Sequence, residues 1–222
     1  MNHLIIGNQK YSSWSLRPWL VLKEFEIDFH ESKIYLYKTD SKQQILKYSP
    51  SGKVPALIYT SPQDEKLTIW DSLAICEFLA EQYPNLELWP QDSFMRAEAR
   101  SVSHEMHSGF NAIRNDLPMN CNTKMIFTNI SEALQMDISR VGAIWKNLRE
   151  KYASKGDFLF GAFSICDAMF APIALRFNSY GIKVGIIEQE YINRLLALKS
   201  IQEWITEGLK ETELLEMCEI SG

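Results

Sequence analysis

The sequence predicts a two-part chain, a small mixed α/β unit followed by an all-α unit. Strand and helix signals alternate over residues 1–83. Residues 84–94 (PNLELWPQDSF) carry two prolines among mostly polar neighbours and read as a linker. Beyond them strand signals fade and helical periodicity continues, so residues 95–222 are expected to be all-helical.

In chain order, residues 3–7 form a short apolar run ending in Gly7, a strand. Residues 15–25 place Leu16, Trp19, Leu20 and Leu22 on one helical face. Residues 32–36 (SKIYL) are rich in strand formers, and residues 42–48 suit a short helix. Residues 54–59 and 66–70 read as strands around a turn at 61–65. Residues 71–83 read as a helix stopped by Pro84. The resulting order, β-α-β-α-β-β-α, suits a small sheet with helices packed against it. Further helices are expected at 95–115, 131–152, 166–180, 189–198 and 200–212.

Composition narrows the function classes. Hydrophobic residues make up 46% of the 222, enough for a sizeable core, and a net charge of −5 argues against a broad nucleic-acid footprint. Cys76, Cys121, Cys166 and Cys218 lie far apart without metal-ligand or redox spacing, and read as scattered buried thiols of a reducing compartment. His104, Glu105 and His107 lack a further ligand, so no metal is expected. No leader-like segment and no apolar run near the ~20 residues of a membrane span are evident, so a cytoplasmic protein without membrane partners is expected.

The stretch Tyr11-Ser12-Ser13-Trp14-Ser15-Leu16-Arg17-Pro18 is the most informative. Proline is best tolerated in a helix's first turn, so Pro18 predicts a start near Ser15, with Ser15 as N-cap. Ser12 and Ser13 then lie just before a helix N-terminus, whose bare amides and partial positive charge attract anions. A thiolate suits this place. Lowering a thiol from about 8.5 to about 6.5 requires about 2.7 kcal/mol. One hydrogen bond to a charged group supplies about 1.5–3 kcal/mol. The helix end adds about 0.3–1 kcal/mol. A serine hydroxyl therefore suffices as donor, without a protein cysteine.

Two further dipeptides bear on the same ligand. Val54-Pro55 opens a strand; if its peptide bond is cis, the Val54 backbone is free to pair with an extended peptide. Asp71-Ser72 stands where a strand passes into a helix, and either residue is a competent N-cap. Such a helix start with a serine could hold a carboxylate, and the aspartate an ammonium group. Singly, each feature is also what an ordinary cap or turn requires.

Their order is more specific. A serine cap after the first strand, Val-Pro before the third and an acidic-Ser pair after the fourth resemble the glutathione-binding domain of glutathione transferases, and the linker and helical remainder extend the resemblance over the whole chain. The resemblance implies a thioredoxin-like N-terminal domain, an all-α C-terminal domain and glutathione as co-substrate. Ser164-Ile165-Cys166-Asp167 is similar to the family's buried capping motif, a folding element. Ser12-Ser13-Trp14-Ser15 resembles the serine motif of the zeta class, which includes maleylacetoacetate isomerases, with Trp14 replacing the usual cysteine. Many bacterial transferase-like proteins share the pattern. Arg17 follows Ser12 by five positions, the family spacing, which favours Ser12 over Ser13 as the catalytic serine.

The resemblance also implies that Val54, beside Pro55, pairs with the cysteinyl backbone of glutathione, that Asp71 and Ser72 bind its γ-glutamyl end, and that Lys53 contacts a carboxylate. On the second-substrate side, Trp14 neighbours the serines, and His107, Phe110, Asn111 and Arg114 share one face of the expected helix 95–115. The expected activity is conjugation of glutathione to a small electrophile, a detoxification chemistry, by a homodimer. The alternatives are glutathione-dependent cis–trans isomerisation of a maleylacetoacetate-like diacid, and a non-catalytic glutathione-binding or scaffold protein of the same fold.

Overall fold

A computed structural model describes residues 1–220. Four strands, β1 (Asn2–Ile6), β2 (Phe29–Lys33), β3 (Ala56–Thr60) and β4 (Lys66–Trp70), form one sheet in the order β2-β1-β3-β4. β1 runs parallel to β2 and antiparallel to β3, and β3 pairs antiparallel with β4. Helices α1 (Ser13–Glu24), α2 (Ser41–Leu46) and α3 (Ser72–Gln82) complete this mixed unit. Alternation along β1 builds two cores. Leu4 and Ile6 join the main core with α1 and α3, whereas Ile5 packs with Ile34, Ile45 and Ala56 on the other face.

The remaining helices are α4 (Ser93–Ser108), α5 (Asn111–Asp116), α6 (Glu132–Tyr152), α7 (Ile165–Ser179), α8 (Ile186–Leu196) and α9 (Lys199–Leu209). No described helix is long and apolar enough to cross a membrane. α7 is buried almost all round and lies along α1, joining the two units through one core. Trp145 and Met119 are buried in this core. The capping motif forms as expected: Asp167 accepts from Ser164 N–H at 2.9 Å, Ser164 Oγ at 3.0 Å, Leu159 N–H at 3.0 Å and Tyr191 Oη at 3.0 Å.

Four expectations need correction. α1 begins at Ser13 with Ser12 as its N-cap, not near Ser15, so Pro18 lies inside the helix. Its missing N–H leaves only the Trp14 carbonyl without its usual helical donor. β2 occupies Phe29–Lys33 instead of 32–36, because pairing of Asn2 with Phe29 through Ile6 with Lys33 outweighs the local β-propensity of Ile34-Tyr35-Leu36. The helix expected over 95–115 breaks: α4 ends at Gly109, Phe110 turns left-handed at φ 60°, and α5 starts at Asn111. His107, Phe110, Asn111 and Arg114 therefore do not share one helical face. Of the four cysteines, Cys76 and Cys166 are buried, but Cys121 and Cys218 are partly exposed.

Candidate active site

The N-termini of α1 and α3 and the break between α4 and α5 meet where the two units join. Ser12 Oγ caps α1, accepting from Ser15 N–H at 3.4 Å and donating to Ser15 Oγ at 2.8 Å. Ser15 Oγ in turn accepts from Gly7 N–H at 3.1 Å, which ties the helix start to the end of β1. Ser13 Oγ accepts from Arg176 Nη2 at 3.3 Å, and its own proton has no acceptor among the described residues. Both serines are buried.

Asp71 caps α3. Its Oδ1 accepts from Leu73 N–H at 3.0 Å and Ala74 N–H at 3.2 Å, and its Oδ2 lies 3.0 Å from His107 Nε2. Its backbone is left-handed, at φ 78°, a conformation that costs an L-residue energy and clusters at functional sites. Desolvation raises its pKa, but the His107 bond and the cap amides outweigh it and hold the carboxyl below its ordinary range. Ser72 Oγ is buried and accepts from Arg17 Nη1 at 3.4 Å.

Val54-Pro55 is a cis bond immediately before β3, and among the described residues the Val54 backbone forms no hydrogen bond with another backbone group. Lys53 is exposed beside it. Trp14 packs among His107, Arg17 and Arg114. Its ring meets His107 edge-on at 5.3 Å, and the guanidiniums of Arg17 and Arg114 lie 4.2 and 4.7 Å from ring centroids. Phe110 is buried in the core, and Asn111 is exposed. Arg114 is fixed by the α4 terminus, donating to the carbonyls of Met106 at 2.6 Å and Gly109 at 2.9 Å. Burial raises the Cys76 and Cys166 thiols, so neither is a thiolate at neutral pH. The described residues hold no cluster suited to a metal.

Residues 11–82, the span from the serine cap to the end of α3, match the family model for the glutathione S-transferase N-terminal domain. This span is thus similar to the N-terminal domain of glutathione S-transferases. Over 96 residues the chain is 38% identical to pyrimidodiazepine synthase of Drosophila melanogaster, covering 43% of this chain and 38% of that protein. Over 103 residues it is 32% identical to a probable maleylacetoacetate isomerase of Caenorhabditis elegans, covering 46% and 45%. The chain thus spans less than half the length of these curated relatives. A glutathione transferase homologue from Burkholderia gl BGR1, solved with bound glutathione, superposes with a TM-score of 0.69 at 24% identity, over 94% of this chain and 97% of that one. The glutathione transferase fold, thioredoxin-like domain plus all-α domain, therefore extends through the helical part.

At the junction of the sheet unit with the helices, sequence reasoning missed two participants. Arg17 entered only as a spacing marker, yet it is fully buried against Ser72 and Trp14. Arg176 was not singled out. Its signal was available: apart from Asp167 it is the only charged residue in α7, a largely apolar helix buried at every position but Asn178.

Proposed function

We propose that the chain is a serine-type, zeta-like glutathione transferase. The observation that carries this reading is the convergence of two helix N-termini, one bearing Ser12 and Ser13 and the other Asp71 and Ser72, on one junction in a glutathione S-transferase domain. The α3 terminus with Ser72 holds the γ-glutamyl carboxylate, and Asp71 faces its ammonium group. Val54 pairs with the cysteinyl backbone, Pro55 fixes the approach to β3, and Lys53 offers its charge to the remaining carboxylate. The thiol then lies at the α1 terminus.

Ser13 is better placed than Ser12 to donate to sulfur. Its proton is uncommitted and Arg176 polarises its oxygen, whereas the Ser12 proton is engaged by Ser15. The sulfur's lone pair attacks an electrophilic carbon to form the S–C bond, and the displaced pair leaves with a leaving group or is protonated on the neighbouring atom. Positioning and anion stabilisation supply the rate. Trp14, His107 and Arg114 form the second-substrate wall, with Asn111 at its rim and Phe110 behind it.

The test is the ultraviolet thiolate band of bound glutathione followed against pH. Ser13→Ala is expected to raise the apparent thiol pKa by about 1–2 units, the worth of one charge-assisted hydrogen bond. Titrations unchanged in both Ser12→Ala and Ser13→Ala remove the serines from the mechanism.

Likeness to the C. elegans probable maleylacetoacetate isomerase favours a second reading, in which the same thiolate adds reversibly to a conjugated diacid and permits rotation. Direct assay with a maleyl substrate separates the two. We further propose domain limits at 83 and 95, a cytoplasmic detoxification role and a homodimer. Leu67 and Trp70 on edge strand β4, together with Phe94, supply exposed apolar surface for an interface. Sedimentation of the purified chain tests the dimer.

A further inference from the structure

His107 lies in the last turn of α4 and reaches across the junction to the start of α3, where its Nε2 is 3.0 Å from Asp71 Oδ2. The other Asp71 oxygen is committed to the helix: Oδ1 accepts from Leu73 N–H at 3.0 Å and Ala74 N–H at 3.2 Å. Oδ2 is therefore the oxygen left for a cation from outside, and the imidazole occupies it. Both side chains keep a path to solvent, with 25% of the His107 side chain and 43% of the Asp71 side chain exposed. His107 Nδ1 is buried and has no hydrogen-bond partner among the described residues, so the polar hold on the ring comes from Asp71.

Few charged groups face this pair. Against the upward push of desolvation, the His107 bond and the cap amides hold the Asp71 carboxyl below its ordinary range, so it is ionised from about pH 5 upward. Arg17 of α1 and Arg114 of α5 lie 4.2 and 4.7 Å from the Trp14 ring that His107 meets edge-on, and Arg114 Nη2 also donates to the His107 carbonyl at 3.4 Å. Arginine keeps its charge throughout the range in which histidine titrates. On α4 itself, Glu105 is paired with Arg140 at 2.6 Å, and His104 Nδ1 lies 2.8 Å from the Arg100 carbonyl. On α3, burial keeps the Cys76 thiol protonated. Of the groups in contact with Asp71, only His107 belongs to the residue type whose charge changes between about pH 5 and 8.

A cation arriving at Asp71 must share or take Oδ2, and the ammonium of a γ-glutamyl group is such a cation. A neutral imidazole donates one hydrogen bond and gives way readily. An imidazolium adds charge to that bond and repels a second cation. We propose that His107 competes with the glutathione ammonium for Asp71, holding Oδ2 when protonated and yielding it when neutral, so that glutathione binding strengthens as pH rises. This rests on reading Asp71 as the ammonium site. By linkage, glutathione binding to the protonated form expels the proton from the imidazole.

Calorimetry on the whole chain with S-methylglutathione tests the proposal, because this ligand has no thiol and keeps its ammonium and carboxylates charged from about pH 5 to about pH 7. The unaltered chain is expected to bind it about five times more tightly at the upper end of that range than at the lower. His107→Gln offers Asp71 a neutral N–H and should bind with nearly equal affinity at both ends. His107→Lys carries a fixed cation and should bind weakly at both. The unaltered chain is decisive without either variant: equal affinity at the two ends, or tighter binding at the acid end, overturns the proposal while the glutathione reading stands. So does a pH dependence that persists in folded His107→Gln. If S-methylglutathione binds at neither end, the glutathione reading itself falls and this inference falls with it.

Discussion

Asp71 combines three tasks in one side chain: it caps α3, faces His107 and holds a left-handed backbone. Substitutions separate them. Asp71→Ala loses the cap and keeps the unfavourable φ, and is expected to cost about 1–2 kcal/mol in urea unfolding. Asp71→Gly loses the cap but adopts φ 78° freely, so its loss should be smaller. Asp71→Asn retains cap geometry without charge; stability should stay near wild type while calorimetry shows weaker glutathione binding. Equal losses in the Ala and Gly variants would show that the backbone conformation carries no cost.

At the scale of elements, α7 depends on Asp167. Burial pushes its carboxyl up to about 6, against the opposing pull of the Leu159 amide, the Tyr191 hydroxyl and the Ser164 donors. The folded pKa lies above the unfolded value of about 3.8, so the native state binds the proton more tightly than the unfolded chain. This contribution is full below about pH 4 and is lost as pH rises through about 6, a change of roughly 3 kcal/mol. Denaturant midpoints measured from pH 4 to pH 7 should fall accordingly, and the fall should vanish in Asp167→Asn. Asp167→Ala leaves several buried donors unmatched and is expected to cost at least about 3 kcal/mol. α4 and α5 show the complementary case, since Gly109 stops one helix and Arg114 satisfies the carbonyls thereby exposed.

At the scale of the whole molecule, the C-terminal end clamps the loop that leads into the serines. Glu211 accepts from Gln9 N–H at 2.8 Å and Lys10 N–H at 3.2 Å, and pairs with Lys33 at 2.9 Å. Gly208 of α9 lets the helix approach: a Cβ there would lie 2.9 Å from the Lys10 backbone nitrogen. Gly208→Ala must therefore displace the loop or the helix. The expected loss is about 1–3 kcal/mol in unfolding, accompanied by weaker glutathione binding, because Ser12 follows the displaced segment directly. Unaltered glutathione affinity in a folded Gly208→Ala protein would uncouple α9 from the site.

The sequence by itself determined the β-α-β-α-β-β-α order of the first unit, a serine start to α1 though not which serine caps it, the Asp71-Ser72 start of α3 and the capping motif of α7. These depend on neighbours within a few residues, where propensity, capping and proline sterics act. The tertiary structure decided what depends on distant partners. Pairing with β1 set the register of β2, and the contact with Gly7 tied the start of α1 through Ser15. Burial brought Arg17, Arg114 and Arg176 together from positions up to 159 residues apart in the chain. An arginine's chemistry at such a site depends on whether a carboxylate lies within a few ångströms, and spacing along the chain does not encode that distance.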